Sequence, residues 1–174
     1  MRCAALLLAA SALAGCVSLP APQPGAVSGR LSLQVDATPG RPAQALSAAF
    51  DLRGDAERGE LRLSTPLGTT LALASWAPGE ARLVTSQGEQ RYADLGMLSR
   101  QVFGEELPLR ALPDWLQGRP WPGAADATRP LQPGPGFEQL GWTVELARFD
   151  RGQLTAWRAA PPGVRLRAQL DAAP

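Results

Sequence analysis

Residues 29–36, Gly29-Arg30-Leu31-Ser32-Leu33-Gln34-Val35-Asp36, are the stretch of sequence that decides the fold. The apolar side chains alternate with polar ones, as in a strand that buries one face and exposes the other. The same alternation recurs at residues 46–53, 61–63, 71–73, 142–146 and 164–170. Many short strands at this spacing predict a mainly β fold, with an antiparallel sheet that is curled or closed into a barrel.

Two segments have helical periodicity instead. Residues 94–103 carry apolar side chains at helical spacing and stop at Gly104, and residues 108–116 form a second short helical piece before Gly118. Pro113 interrupts the second piece. Residues 119–136 are rich in proline and glycine, which predicts a long irregular connection.

The first residues have the pattern of a signal peptide. Arg2 precedes an apolar run over residues 3–10, which is shorter than the about 20 apolar residues of a transmembrane helix. The stretch Leu13-Ala14-Gly15-Cys16 resembles the lipobox of bacterial lipoproteins, in which the cysteine thiol receives a diacylglyceryl group. We therefore expect a signal peptide over residues 1–15 and lipidation at Cys16. An ordinary signal peptide with an incidental cysteine is the alternative.

The rest of the chain divides into a tether and one domain. Residues 16–27 comprise the lipidated cysteine and a proline-rich stretch, and ten extended residues would reach roughly 30 Å. Residues 28–172 are expected to form a single domain. The chain has 17 basic and 16 acidic residues, and Arg2 belongs to the expected signal peptide. Without Arg2, 16 basic residues balance 16 acidic ones, and the chain has no dense basic run. Nucleic acid is therefore not an expected partner.

Composition argues against an enzyme. The chain has no histidine, which removes the commonest general base and the commonest nitrogen ligand of metals. After cleavage Cys16 is the only cysteine, and lipid blocks its thiol, so no thiol nucleophile and no cysteine metal site are expected. The carboxylate pair Glu105-Glu106 is expected to be solvated in a loop. We therefore predict no catalytic residue, no metal and no cofactor.

Four further segments carry a family resemblance. They are residues 29–33, residues 59–71 with Thr65-Pro66-Leu67-Gly68, residues 107–109 together with Trp115-Leu116-Gln117-Gly118-Arg119-Pro120, and residues 141–144. In this order they resemble the LolB family of outer-membrane lipoprotein receptors. The resemblance implies a half-open, unclosed β-barrel with a helical lid and an apolar cavity.

The resemblance also implies a function. The cavity would take the acyl chains of lipoproteins from a soluble, LolA-like periplasmic carrier, and the receptor would release them into outer-membrane lipid without a cofactor. In such lipoproteins an Asp after the acylated cysteine signals retention in the inner membrane. Here Val17 stands there. The implied location is the outer membrane, with the domain facing the periplasm.

Two groups of site residues follow. The expected cavity lining comprises the larger apolar residues of the alternating strands and the second helical piece: Leu31, Leu33, Phe50, Leu61, Leu63, Leu73, Trp115 and Trp142. Each of these would also suit an ordinary packed core. The second group, Pro66, Leu67 and Gly68, suits a type I turn that places Leu67 in solvent at a hairpin tip. In the family an apolar residue on this loop serves to deliver lipoproteins to the membrane.

Two rival interpretations remain open. One is a structural or assembly lipoprotein that binds a protein partner through its sheet and has no lipid cavity. The other is a soluble carrier of the same fold class, which the lipobox argues against because a carrier must leave the membrane.

Replacing the lipidation residue tests the expected anchor. Cys16→Ala should leave a folded domain that is no longer held in the outer membrane, because the acyl chains supply the attachment. Fractionation of cells into soluble and washed outer-membrane material measures this. Recovery of the variant in washed outer membranes in the wild-type amount would contradict the lipoprotein interpretation.

Overall fold

The computed structural model describes residues 26–171, so the expected signal peptide, the lipidation residue Cys16 and all but the end of the proline-rich tether lie outside the described residues. The strands are β1 (Val27–Val35), β2 (Gln44–Gly54), β3 (Gly59–Ser64), β4 (Thr70–Ala77), β5 (Glu80–Thr85), β6 (Gly88–Tyr92), β7 (Arg129–Pro130), β8 (Gly136–Gln139), β9 (Trp142–Arg148), β10 (Gln153–Arg158) and β11 (Val164–Leu170). The helices are α1 (Leu95–Phe103) and α2 (Leu112–Trp115), with 3₁₀ turns at Pro122–Ala127 and Phe149–Arg151.

All strands belong to one 11-stranded sheet with the order β6-β5-β4-β3-β2-β1-β11-β10-β9-β8-β7. Neighbouring strands are antiparallel throughout. Strand β1 joins the two halves because it pairs with β2 on one side and with β11 on the other. The edge strands β6 and β7 do not pair with each other. The predicted unclosed antiparallel barrel is therefore confirmed.

The alternation in β1 defines an inner and an outer face. Leu31, Leu33 and Val35 are buried, whereas Arg30 is exposed. Leu31 lies opposite Ala48 and Ala168, and Leu33 lies opposite Leu46 and Leu166. The apolar side chains of the neighbouring strands consequently share the inner face, where the core forms.

A β-bulge interrupts the alternation in β4. Leu63 pairs with Ala72, but the next pair is Ser64 with Thr70, so Leu71 is an extra residue on the β4 side. Beyond the bulge, Leu73 pairs with the exposed Arg62 and therefore lies on the outer face. Bulges re-aim the side chains of one strand in this way.

The first predicted helix is confirmed. The Asp94 carboxylate accepts a hydrogen bond from the Met97 N–H at 2.7 Å and caps the start of α1. Gly104, with φ of +74°, ends the helix, and its N–H donates to the Arg100 carbonyl oxygen. Leu95 and Leu98 are buried against the sheet.

The second helical piece is shorter than the predicted span of residues 108–116. Pro113 has no N–H to donate to the carbonyl one turn earlier, so a regular helix is kept only over Leu112–Trp115. The predicted irregular connection at 119–136 holds a 3₁₀ turn and the two-residue strand β7, and β8 begins at Gly136.

The turn between β2 and β3 is fixed by hydrogen bonds at one end of the barrel. The backbone N–H groups of Arg58 and Glu57 donate to the Asp55 carboxylate and hold its pKa below the ordinary value. The Trp76 indole Nε1 donates to the Asp55 carbonyl oxygen at 2.9 Å. Trp76 belongs to the packed core, so this end of the barrel is filled by side chains.

Candidate functional site

An apolar cavity of about 470 Å³ lies between the inner face of the sheet and the segment that runs from α1 to α2. Among residues 26–171, those that line it include no charged side chain. Gln44 and Thr85 are the only lining residues, within the same range, that are neither aliphatic nor aromatic. Such a wall offers area for apolar contact and almost nothing for an ion or a polar ligand.

The predicted lining residues divide into two groups. Those that lie on the cavity wall are Leu31, Leu33, Leu61, Leu63, Trp115 and Trp142. Phe50 and Leu73 do not line it. Phe50 is on the inner face but only 1% exposed, because it packs among Leu52 and its neighbours in the core. Leu73 lies on the outer face because it pairs with Arg62, between the inner pairs Leu61–Ala74 and Leu63–Ala72.

The bulge also places a residue that the alternation pattern missed. Leu71 and Ala72 are consecutive, yet both line the cavity, because the extra residue interrupts the strand register at this point. The sequence alternation assigned Leu71 and Leu73 to one face. In the structure only Leu71 contributes to the cavity.

The segment from α1 to α2, which forms the lid, supplies lining residues that the sequence analysis did not assign to the site. Leu98, Val102 and Phe103 come from α1, and Leu107, Leu109 and Leu112 come from the following segment. The signal was present in the helical spacing of Leu98 and Val102, which puts both on one face of α1. Only the fold shows that this face covers the inner side of the sheet.

A buried hydroxyl holds the lid together. Ser99 is fully buried, donates to the Gly96 carbonyl oxygen and accepts the Leu107 N–H, both at 3.0 Å. This contact fixes the chain that leaves α1 against the helix itself. Because the hydrogen bond is shielded from water, its loss would leave the Leu107 N–H without a partner.

The carboxylate pair after α1 is not simply solvated as expected. Glu105 accepts a hydrogen bond from Arg158 of β10 at 2.9 Å, and Glu106 pairs with Arg100 of α1. The Arg158 guanidinium also lies 6.0 Å from the Trp142 ring centroid. The first pair ties the lid to the sheet, with both side chains about one quarter exposed or less.

Gln139 is a buried polar residue that orients one cavity wall. Its side-chain oxygen accepts from the Trp115 Nε1 at 2.9 Å and from the Trp121 N–H at 3.0 Å. Its amide nitrogen donates to the Trp121 carbonyl oxygen and to the Thr128 hydroxyl. Trp115 in turn packs on Trp142, with ring centroids 6.0 Å apart. Gln139 therefore joins β8, α2 and the connection that follows α2.

The mouth of the cavity lies beside the β3–β4 hairpin. Among the lining residues within 26–171, the large hydrophobic side chains that are exposed are Leu71 and Val102, at 40% and 39% respectively. Four residues before Leu71, Leu67 stands at the hairpin tip and is 96% exposed. The Gly68 N–H donates to the Thr65 carbonyl oxygen at 2.9 Å, with Gly68 at φ of +86°, as the predicted turn requires.

Among residues 26–171 no group of His, Cys, Asp or Glu side chains is placed to hold a metal ion. Within the same residues, no helix has the length and apolar content needed to cross a membrane.

Comparison with known proteins places the whole domain in one family. The family model described as outer membrane lipoprotein LolB matches residues 25–170. The outer-membrane lipoprotein LolB of Bordetella pertussis is 36% identical over 181 residues, covering 95% of this chain and 88% of the relative. The proteins of the same name from Bordetella petrii and Chromobacterium violaceum are 34% identical, covering 91% and 72% of this chain and 85% and 64% of the relatives.

The chain belongs to the LolB family of outer-membrane lipoproteins. The LolB match includes the cavity wall, the lid and the hairpin that carries Leu67. This agrees with the resemblance seen in the sequence.

Removing the Gln139 amide tests how the cavity wall is held. Gln139→Leu should lower the free energy of unfolding by about 2–6 kcal/mol, because the Trp115 Nε1–H and the Trp121 N–H lose their partner at about 1–3 kcal/mol each. Urea denaturation measures the change. Glu138→Gln, at an exposed position of the same strand, should stay within about 0.5 kcal/mol of wild type. A loss as small as that of the control would contradict this role.

Proposed function

We propose that this LolB-family chain is a lipoprotein receptor, anchored by acyl chains on Cys16 in the outer membrane and facing the periplasm. It accepts acylated lipoproteins from a soluble, LolA-like carrier, holds their acyl chains in the cavity and inserts them into the membrane. The observation that carries the proposal is an uncharged cavity whose mouth lies beside an almost fully exposed leucine. No cofactor takes part.

The chemistry of the cavity favours alkyl chains as the ligand. Its volume of about 470 Å³ lies within the roughly 300–1,000 Å³ of ligand pockets. Each methylene group removed from water contributes about 0.8 kcal/mol, without any need for directional contacts. A charged group placed inside would lose its hydration and find no partner. The acyl chains therefore enter, and the polar part of the lipoprotein stays at the mouth.

The position of the mouth favours transfer into a membrane. Leu71 at the rim and Leu67 at the tip belong to the same hairpin, so insertion of the tip brings the cavity opening to the bilayer surface. Burying one leucine in the acyl region contributes about 1.5–3 kcal/mol. Without a nucleotide, direction depends on relative affinities, and each about 1.4 kcal/mol gives a tenfold bias.

A charge on the cavity wall tests the ligand. Leu63→Glu should weaken binding of a fluorescent fatty-acyl probe at least tenfold, because its carboxylate would face an apolar ligand. Fluorescence titration of delipidated protein measures the affinity. Leu73→Glu is the matched control, since Leu73 lies on the outer face beside Arg62, and it should bind the probe like wild type.

The same titration separates the receptor from its main rival. A structural lipoprotein that binds a protein partner through its sheet would have no use for alkyl chains. Complete absence of probe binding by the folded wild-type protein would contradict the cavity's proposed role and favour that rival.

A charge at the hairpin tip tests the transfer step. Leu67→Glu should fold normally, because exposed substitutions usually change stability by less than about 0.5 kcal/mol, and should still accept lipoprotein. It should fail to pass the cargo to liposomes, since a carboxylate resists entering the acyl region. Leu67→Phe should keep the activity.

Leu140 provides a control for exposure alone. It is 42% exposed and lies in the turn between β8 and β9, so Leu140→Glu should transfer lipoprotein at the wild-type rate. Transfer by Leu67→Glu at the wild-type rate, or melting far below wild type, would remove the reason to assign membrane insertion to this loop.

A further inference from the structure

A second groove lies on the outer face of the sheet, away from the cavity. It has a volume of about 490 Å³ and crosses β2, β1, β11 and β10. Its outward-facing lining includes Arg30, Ser32, Ser47, Thr155 and Arg167. These residues are cross-strand neighbours, because Thr155 pairs with Arg167, Arg167 with Ser32, and Ser32 with Ser47. The groove therefore carries charged and hydroxyl side chains on its outward side, whereas the cavity wall carries no charge.

The groove is positively charged and has no anion of its own. Arg30 pairs with Gln169, two residues from Arg167, so the two guanidinium groups belong to diagonal cross-strand neighbours. Among residues 26–171, neither arginine lies within 4 Å of a carboxylate. Within the same residues, none of those lining the groove is acidic. Two adjacent like charges with hydroxyl groups beside them favour a bound anion.

One end of the groove is formed by the hairpin that carries Leu67. Pro66, the residue before the exposed tip, lines the groove together with the two arginines. A tip that enters the acyl region of a bilayer would leave the side chains just behind it at the level of the lipid headgroups. Arginine suits this level because its planar fork of N–H donors matches the oxygens of a phosphate.

We propose that this groove binds the phosphate of an anionic phospholipid headgroup and turns the domain so that the cavity mouth faces the bilayer. Arg30 and Arg167 supply the charge, while Ser32, Ser47 and Thr155 supply hydroxyl donors. The inference rests on the proposed insertion of Leu67 and adds the lipid chemistry that accompanies it. The tip supplies apolar contact with any bilayer, and the groove makes that contact depend on lipid charge.

The experiment reports insertion of the tip in the anchored protein. Leu67→Cys in the acylated full-length protein gives a single free thiol, because Cys3 leaves with the expected signal peptide and Cys16 is acylated. The thiol is labelled with an environment-sensitive fluorophore, and the protein is reconstituted in vesicles of phosphatidylcholine, with or without phosphatidylglycerol. The fluorescence of the label should report more apolar surroundings on both kinds of vesicle, and the change should be larger with phosphatidylglycerol.

Removing the two charges should abolish that difference. The double variant Arg30→Gln, Arg167→Gln should lower the equilibrium constant for tip insertion by about tenfold on anionic vesicles and leave it unchanged on neutral ones. Raising the salt concentration should weaken the wild-type response in the same direction. The matched control is Arg110→Gln with Arg129→Gln, which removes two exposed arginines outside the groove and should keep the response to phosphatidylglycerol.

The outcomes separate this proposal from the function on which it rests. An unchanged response of the groove variant to phosphatidylglycerol would overturn the headgroup site and leave tip insertion standing. If that variant instead accepted lipoprotein more slowly from the carrier, the groove would belong to a protein partner. A label that stays in water with both vesicles would overturn tip insertion itself, and the headgroup site with it.

Discussion

A sheet that curls without closing cannot cover its own inner face, and the rest of this structure depends on that constraint. Strands β6 and β7 end the sheet without pairing, so the apolar residues of the inner face need another cover. The segment from α1 to α2 supplies it, but it touches the sheet unevenly. Where Leu95 and Leu116 join the core the space is filled, and towards the β3–β4 hairpin it stays open as the cavity.

Polar contacts fix the position of the lid, in addition to the apolar side chains that it packs into the core. Arg158 and Glu105 join β10 to the segment after α1, Ser99 fixes that segment to the helix, and Gln139 orients Trp115. Polar contacts specify a geometry without filling space, whereas additional apolar side chains would close the cavity. Keeping the cavity open therefore competes with stability, because each side chain that filled the opening would add buried area to the core.

Local sequence patterns predicted the parts of the structure that local chemistry determines. Alternation located β1, β2 and the inner face, and Asp94 with Gly104 bounded α1. Strand β6 was missed because Gly88–Tyr92 is almost entirely polar and serves as an edge, where no apolar face is needed. The turn at residues 65–68 was predictable because proline and glycine fix its backbone locally.

The remaining features depend on contacts between distant residues. The position of Leu73 depends on its register with β3, the inward position of Leu71 depends on the bulge, and Phe50 is separated from the cavity by how the neighbouring strands pack. Glu105 binds Arg158, which lies 53 residues away in the sequence, and Gln139 binds Trp115, which lies 24 residues away. No spacing rule predicts such partners. Alternation predicts the face of a strand on which a residue lies, but it does not predict whether that residue packs in the core or lines a cavity.

The two faces of the sheet divide the work of recognition. On the proposed function, the uncharged cavity offers only apolar contact area, so it would hold acyl chains of different proteins equally and give no direction to their transfer. Direction needs an interaction that exists only at the membrane. On the two proposals, the exposed tip at Leu67 and the basic groove behind it would provide such an interaction, because both are solvated until a bilayer is present. On the proposed function, holding the cargo therefore depends on the inner face, and releasing it depends on the hairpin and the outer face.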